Sequence, residues 1–226
     1  MEPKRHKLDY YQSPSWFATE MLRYVSIGGT VGEPCVGEEP TASENAGGIS
    51  SLLKACPQVK SVWTNDIDEN KEADFHLDAR LGKSWEQFPD CDWVCTNPPY
   101  GSSAAPIILN AYKKAKIGVA AFLLTSFLEP CDDRAEFLHS HSPSLILVLP
   151  RFCFRKNSYG TAWATDNATI SCFVWDKTQT TQKIVVRPKN DIIGFYKNPD
   201  TAISQQRALK IIDDINVDKH LNDAKM

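Results

Sequence analysis

No apolar run in this chain of 226 residues approaches the roughly 20 needed to span a membrane, so a membrane protein is not expected. The basic start, Met1 to Lys7, has no apolar stretch after it. That argues against a secretory signal and for a cytoplasmic location. Cysteines at metal-ligand spacing are also lacking. The seven are scattered at Cys35, Cys56, Cys91, Cys95, Cys131, Cys153 and Cys172. Cys91 and Cys95 miss the C-x-x-C spacing, so no metal site is expected. An odd number without a secretion signal reads as reduced, buried thiols. The G-x-G-x-x-G of a nicotinamide site is absent. So is an excess of positive charge: 25 Lys and Arg against 28 Asp and Glu give a net charge of −3. A dedicated nucleic-acid binder is usually basic, which leaves room here only for a local basic face. There is no internal repeat and no low-complexity segment.

What is present suits one domain. With 42% hydrophobic residues, the chain can bury a sizeable core. The expectation is a single unit over 1–226, with a flexible basic tail at 1–9 and a C-terminal appendage with a helix at 176–226. Ser13-Pro14 can open a helix carrying Phe17, Met21, Tyr24 and Val25 at helical spacing. A first strand over 30–37 runs into a loop, followed by a short helix over 49–55 and a strand over 59–65. A strand over 92–97 comes next. Ser102 or Ser103 is placed to cap a helix with Ile107, Ile108 and Ala111, and Lys113, Lys114 and Lys116 suit its negative end. Val119 to Leu124 is continuously apolar, as for a strand buried on both faces. Further strands are expected at 145–149, 168–175 and 184–186, and a helix after Pro199. Strands alternating with helices predict an α/β fold with a mainly parallel central sheet flanked by helices. Ligands of such sheets bind at the carboxyl ends of the strands. Gly37, Asp66, Asp78 and Asn97 would all open on that edge.

One stretch organises the rest. Asp92-Trp93-Val94-Cys95-Thr96 reads as an apolar strand, stopped by Asn97-Pro98-Pro99-Tyr100. Each proline lacks an N–H and has a fixed φ, so the ladder cannot continue. The residue before a proline is pushed out of helical space. Asn97 is therefore held at a strand end with its amide and the neighbouring carbonyls turned outward, and Tyr100 offers a flat π face just beyond. Hydrogen-bond acceptors beside an aromatic plate suit a planar ring bearing an exocyclic amine.

Asn97-Pro98-Pro99-Tyr100 resembles the catalytic motif of S-adenosylmethionine-dependent amino-methyltransferases, above all the N6-adenine DNA methyltransferases of phage Dam-like type. The resemblance implies a Rossmann-like class I methyltransferase fold whose last strand is antiparallel, with S-adenosylmethionine as the methyl donor. Glu33-Pro34-Cys35-Val36-Gly37 is similar to the family's first cofactor motif. The usual second glycine is replaced by Glu38-Glu39-Pro40, and Gly47-Gly48 looks like the displaced end of the motif. By the same resemblance, Asp66 would accept both cofactor ribose hydroxyls and Ile67 would pack on the cofactor's adenine. Asp78, followed by Ala79, would accept from its amino group. Ser13 and Trp16 match the motif that closes over the methionine end.

On the target side, the resemblance implies that Asn97 and the Pro98 carbonyl accept the two N–H bonds of a target adenine. Pro99 and Tyr100 would lie against the base. An adenine in duplex DNA must be flipped out, at a cost of a few kcal/mol. Phe154 resembles the late-motif aromatic that contacts the flipped base, and Arg151, Arg155 and Lys156 lie where a phosphate backbone should pass. No large recognition domain fits between these motifs. Recognition would come from the loop over 150–167, from a homodimer or from a partner. RNA adenine and a protein glutamine are alternative substrates, since the same tetrapeptide serves glutamine methylation. A catalytically silent binding protein on this fold is the alternative of another class.

Overall fold

The computed structural model describes residues 13, 15–37, 48–151, 169–188, 210 and 213–214. In chain order the elements are α1 (Ser15–Tyr24), β1 (Gly29–Glu33), α2 (Ile49–Lys54), β2 (Val59–Thr64), α3 (Gly82–Gln87) and β3 (Cys91–Thr96). They continue with α4 (Ala104–Lys114), β4 (Ala115–Leu124), α5 (Ala135–Ser140), β5 (Leu145–Val148), β6 (Ile170–Asp176) and β7 (Lys183–Val186). The seven strands form one sheet in the order β2-β1-β3-β4-β6-β5-β7. β2, β1, β3 and β4 are mutually parallel. β6 is antiparallel to both β4 and β5. β7 then returns parallel to β5, so the start of the expected C-terminal appendage is an integral edge strand.

Side-chain alternation explains why β4 is apolar throughout. Ala120 and Phe122 enter one core with α1 and α2, while Val119, Ala121 and Leu123 enter the other with α4. Helices on both faces leave no solvated side for a polar residue. In the first core Phe17 stacks on Phe122 at 4.4 Å between ring centroids. In the second, Trp63 stacks on Phe88 at 4.7 Å. Each such side chain contributes about 1.5–3 kcal/mol when fully buried. Gly32 of β1 is required for this packing, because a Cβ there would lie 2.1 Å from Cζ2 of the Trp63 indole.

One local expectation is corrected. α4 follows a 3₁₀ turn at Gly101–Ser103 and has no side-chain cap from Ser103. Its last turn carries Lys113 and Lys114 as expected, and Lys177 of β6's trailing turn adds a further cation whose Nζ donates to the carbonyls of Tyr112 and Ala115. Lys114 and Lys116 reach Asp90, at 3.3 and 3.6 Å. Gly29 opens β1 with φ 73°.

Candidate active site

Chain order reverses between β1 and β3, because β2 lies on the far side of β1. A crevice at such a reversal, outside the strands' carboxyl ends, is where open α/β sheets bind ligands. Three segments meet there: residues 34–37 after β1, 65–68 after β2 and 97–100 after β3.

Asn65 ties the first two together. It is fully buried. Its Nδ2 donates to the carbonyls of Pro34 at 2.8 Å and Leu77 at 3.0 Å, and its Oδ1 accepts from the Leu77 amide at 2.8 Å. Its backbone amide donates to the Glu33 carbonyl at 2.9 Å, and its carbonyl accepts from the Val36 amide at 3.0 Å. An amide is the side chain that can donate and accept at once in this way. Reasoning from the sequence passed over Asn65. The available signal was a polar amide closing an apolar strand directly before Asp66.

Asp66 Oδ2 accepts from the Gly37 amide and Oδ1 from the Asp68 amide, both at 2.9 Å. Gly37 can aim its amide this way at φ 67°, a left-handed conformation that glycine adopts without a Cβ penalty. Each carboxylate oxygen keeps a lone-pair direction free for a further donor. Ile67, next in sequence, is 47% exposed. Glu33 is buried at the end of β1.

Asp78 lies on the loop that Asn65 holds through Leu77. Arg80 Nε donates to its Oδ1 at 2.9 Å and Arg80 Nη2 to its Oδ2 at 2.7 Å. These bonds hold the Asp78 carboxyl below the usual carboxylate range. Ala79 is buried and its carbonyl accepts from Trp85 Nε1 at 2.7 Å, which leaves it a supporting role. Trp16, matched by sequence to a cofactor-closing motif, has no exposed surface and packs edge-on to Phe17 at 4.6 Å. Its place is in the core, where an indole has far more apolar area to bury than at the sheet edge.

After β3, Asn97 is half-buried, Pro98 is buried, and Pro99 and Tyr100 are half-buried. Asn97 Nδ2 donates to Ser13 Oγ at 3.0 Å, across 84 positions of sequence. Tyr100 Oη donates to Asn97 Oδ1, also at 3.0 Å. Tyr100 also lines a cleft of about 480 Å³ at the end of β4, with Leu123, Leu124, Phe127 and Asp133. Arg134 contributes no free charge to this cleft. Its Nε donates to the Phe127 carbonyl and its Nη1 to Asp133, both at 2.8 Å, and its guanidinium lies over the Phe127 ring. A second cleft of about 550 Å³, between α5 and β7, shares no lining residue with it and has no carboxylate.

Arg151 is exposed at the end of the described stretch. Phe154, Arg155 and Lys156 lie outside the described residues. Burial pushes the Cys91 thiol up to about 12 and raises Cys95 and Cys172 as well. Cys35 is raised by burial first and by the Asp66 charge second. These thiols are neutral packing groups. Among the described residues there is no cluster of metal ligands and no helix long and apolar enough to cross a membrane.

No family model matches the sequence, and no curated protein matches it. Solved structures do resemble it in fold. One is a protein from Vibrio vulnificus named as a modification subunit of a type I restriction enzyme, at 12% identity and TM-score 0.53 over 83% of this chain and 53% of that one. Another, from Listeria monocytogenes, is named as a class I S-adenosylmethionine-dependent methyltransferase, at 12% identity and TM-score 0.52 over 83% and 71%. A third comes from work on the assembly of the type I restriction–modification system, at 12% identity and TM-score 0.50 over 82% and 46%. The chain thus spans about half the length of the first and third. With its strand order and its antiparallel β6, the protein has the Rossmann-like fold of the class I methyltransferases.

Proposed function

We propose that the protein transfers a methyl group from S-adenosylmethionine to the N6 amine of adenine in DNA. The observation that carries this reading is the Asn97-Pro98-Pro99-Tyr100 segment at the carboxyl end of β3, beside the reversal of strand order, with the Asn97 amide oriented at both ends.

The residues present fit the cofactor. The Asp66 carboxylate retains acceptor capacity for two ribose hydroxyls while two backbone amides hold it still. Ile67 keeps an exposed apolar face that a purine would cover. Asp78 accepts an amino group by sharing lone pairs with Arg80, and Glu33, Gly37 and the buried Ala79 frame the same edge. When bound, the cofactor supplies an electrophilic methyl on a cationic sulfur.

The target amine is a weak nucleophile, because its lone pair is delocalised into the ring. Asn97 Oδ1 and the Pro98 carbonyl each accept one of its N–H bonds, which favours a pyramidal nitrogen with a localised lone pair. Holding the amine in line lowers the barrier by several kcal/mol. Pro99 and Tyr100 take the base face, and the resemblance gives Phe154, outside the described residues, the part of a second aromatic against the base. Arg151, Arg155 and Lys156 meet the backbone phosphates. The likeness to type I modification proteins supports DNA as the target and a partner subunit for sequence recognition, since this chain has no room for a recognition domain between its motifs. It acts with such a partner or as a homodimer.

Radiolabelled methyl transfer to duplex DNA, RNA and a glutamine-bearing release factor tests the reading. Label in DNA, located on adenine by sequencing of modified bases, is expected. Label confined to RNA or protein would move the substrate to one of the alternatives. The absence of any cofactor heat in calorimetry, unchanged by Asp66→Ala, would instead support a silent binding protein.

A further inference from the structure

Two hydroxyls grip the Asn97 amide, one from each side. Ser13 Oγ accepts from Nδ2 and Tyr100 Oη donates to Oδ1, each at 3.0 Å. Building on the function proposed above, we infer that the Tyr100 hydroxyl is a stand-in for the target amine on Asn97 Oδ1. We assign Ser13 as the positioning residue that holds the amide from its other side, so that its oxygen stays within reach of the target.

An asparagine amide can face either way at little cost unless its nitrogen and oxygen are distinguished by their partners. A hydroxyl can accept from Nδ2 or donate to Oδ1, so Ser13 and Tyr100 together fix the plane of the amide, and as bonded here Oδ1 faces Tyr100. Ser13 is itself buried. It lies just ahead of α1, whose Trp16, Phe17 and Met21 have no exposed surface. α1 is fastened in turn to the far edge of the sheet by Arg187 Nε, which donates to Glu20 Oε2 at 2.6 Å. A site is held to its working geometry only if its supporting groups are themselves immobile.

Tyr100 has the other part. Without target, a half-buried carbonyl oxygen with no donor would cost free energy. The Tyr100 O–H fills that position as an amine N–H would. Tyr100 is half-buried beside the open cleft, and its hydroxyl needs only one torsion to leave Oδ1 when the target arrives. One hydrogen bond is exchanged for another, no covalent bond changes, and the ring stays where it can lie against the base.

Steady-state kinetics on a DNA duplex separate the two roles. Tyr100→Phe removes the competitor, and the KM for DNA is expected to fall about threefold to tenfold. Ser13→Ala is expected to lower kcat about tenfold while leaving the calorimetric Kd for S-adenosylmethionine unchanged, and Ser13→Thr is expected to restore the rate. A KM unchanged or raised in Tyr100→Phe would overturn the stand-in. A raised cofactor Kd in Ser13→Ala, with kcat intact at saturating cofactor, would make Ser13 a cofactor contact instead. If the wild-type protein methylates no DNA, the proposed function fails by itself. The grip on Asn97 is then read from its side-chain ¹⁵N–¹H resonances, which shift in both Ser13→Ala and Tyr100→Phe if the bonds exist; resonances that stay in place would refute it.

Discussion

The two halves of the candidate site are held in opposite ways. Around Asp66, backbone does most of the holding. Asn65 bonds three backbone groups with its side chain and two with its main chain, and Asp66 accepts from two backbone amides. Around Asn97, two side-chain hydroxyls hold one amide, and one of them belongs to Tyr100, which lines an open cleft. Backbone bonds cannot be rearranged without moving strands, whereas a hydroxyl turns on one torsion. The first arrangement suits a ligand that is the same at every turnover. The second suits a substrate that must enter, be read and leave.

The contrast can be broken most decisively at Asn97. Asn97→Ala is expected to lower the rate of methyl transfer about 10²- to 10³-fold, with cofactor affinity within about twofold. A loss of affinity equal to the loss of rate would unite the two halves and end the comparison. Asn65→Ala leaves buried backbone groups of Pro34 and Leu77 without their partner. It is expected to cost about 3 kcal/mol of stability, seen as a lowered urea midpoint, and to weaken cofactor binding as a consequence. A midpoint unchanged from wild type would show that the lattice around Asp66 is not what holds the loops. Asp66→Ala comes next, with cofactor affinity expected to fall about tenfold to a hundredfold in calorimetry and little change in DNA binding.

The smallest effect sharpens the comparison at its edge. Asp78 and Arg80 form an ion pair in which Arg80 is half exposed, so Arg80→Ala is expected to cost about 0.5 kcal/mol or less. The sign with pH follows from the Asp78 carboxyl, which Arg80 holds below the usual range. Its contribution is full above the ordinary carboxylate value and is lost as pH falls through the lowered value in the folded protein. The difference between wild type and Arg80→Ala should therefore be present at neutral pH and vanish in acid. A difference that grew in acid would contradict the pairing.

Most of the sheet was legible in the residues. Val119 to Leu124 announced a strand buried on both faces, and Asn97-Pro98-Pro99 announced a strand that ends. Both signals are local, one from side-chain alternation and one from proline's missing N–H. At the end of α4 the basic residues stand where the sequence places them, but one partner is not local. Its last carbonyls are met by Lys177, more than 60 positions away.

By itself, the sequence determined which residues close the strands and therefore which side chains arrive at one edge: Gly37, Asp66 and Asn97. Only the tertiary structure decided what those side chains touch. It gave Asn65 its place between two loops, drew Trp16 into the core and set Ser13 and Tyr100 on opposite sides of one amide. Strand endings follow from torsions and donors within a few residues, so they are written locally. Partners across 84 positions depend on how the sheet and its helices pack, and that geometry exists only once the chain has folded.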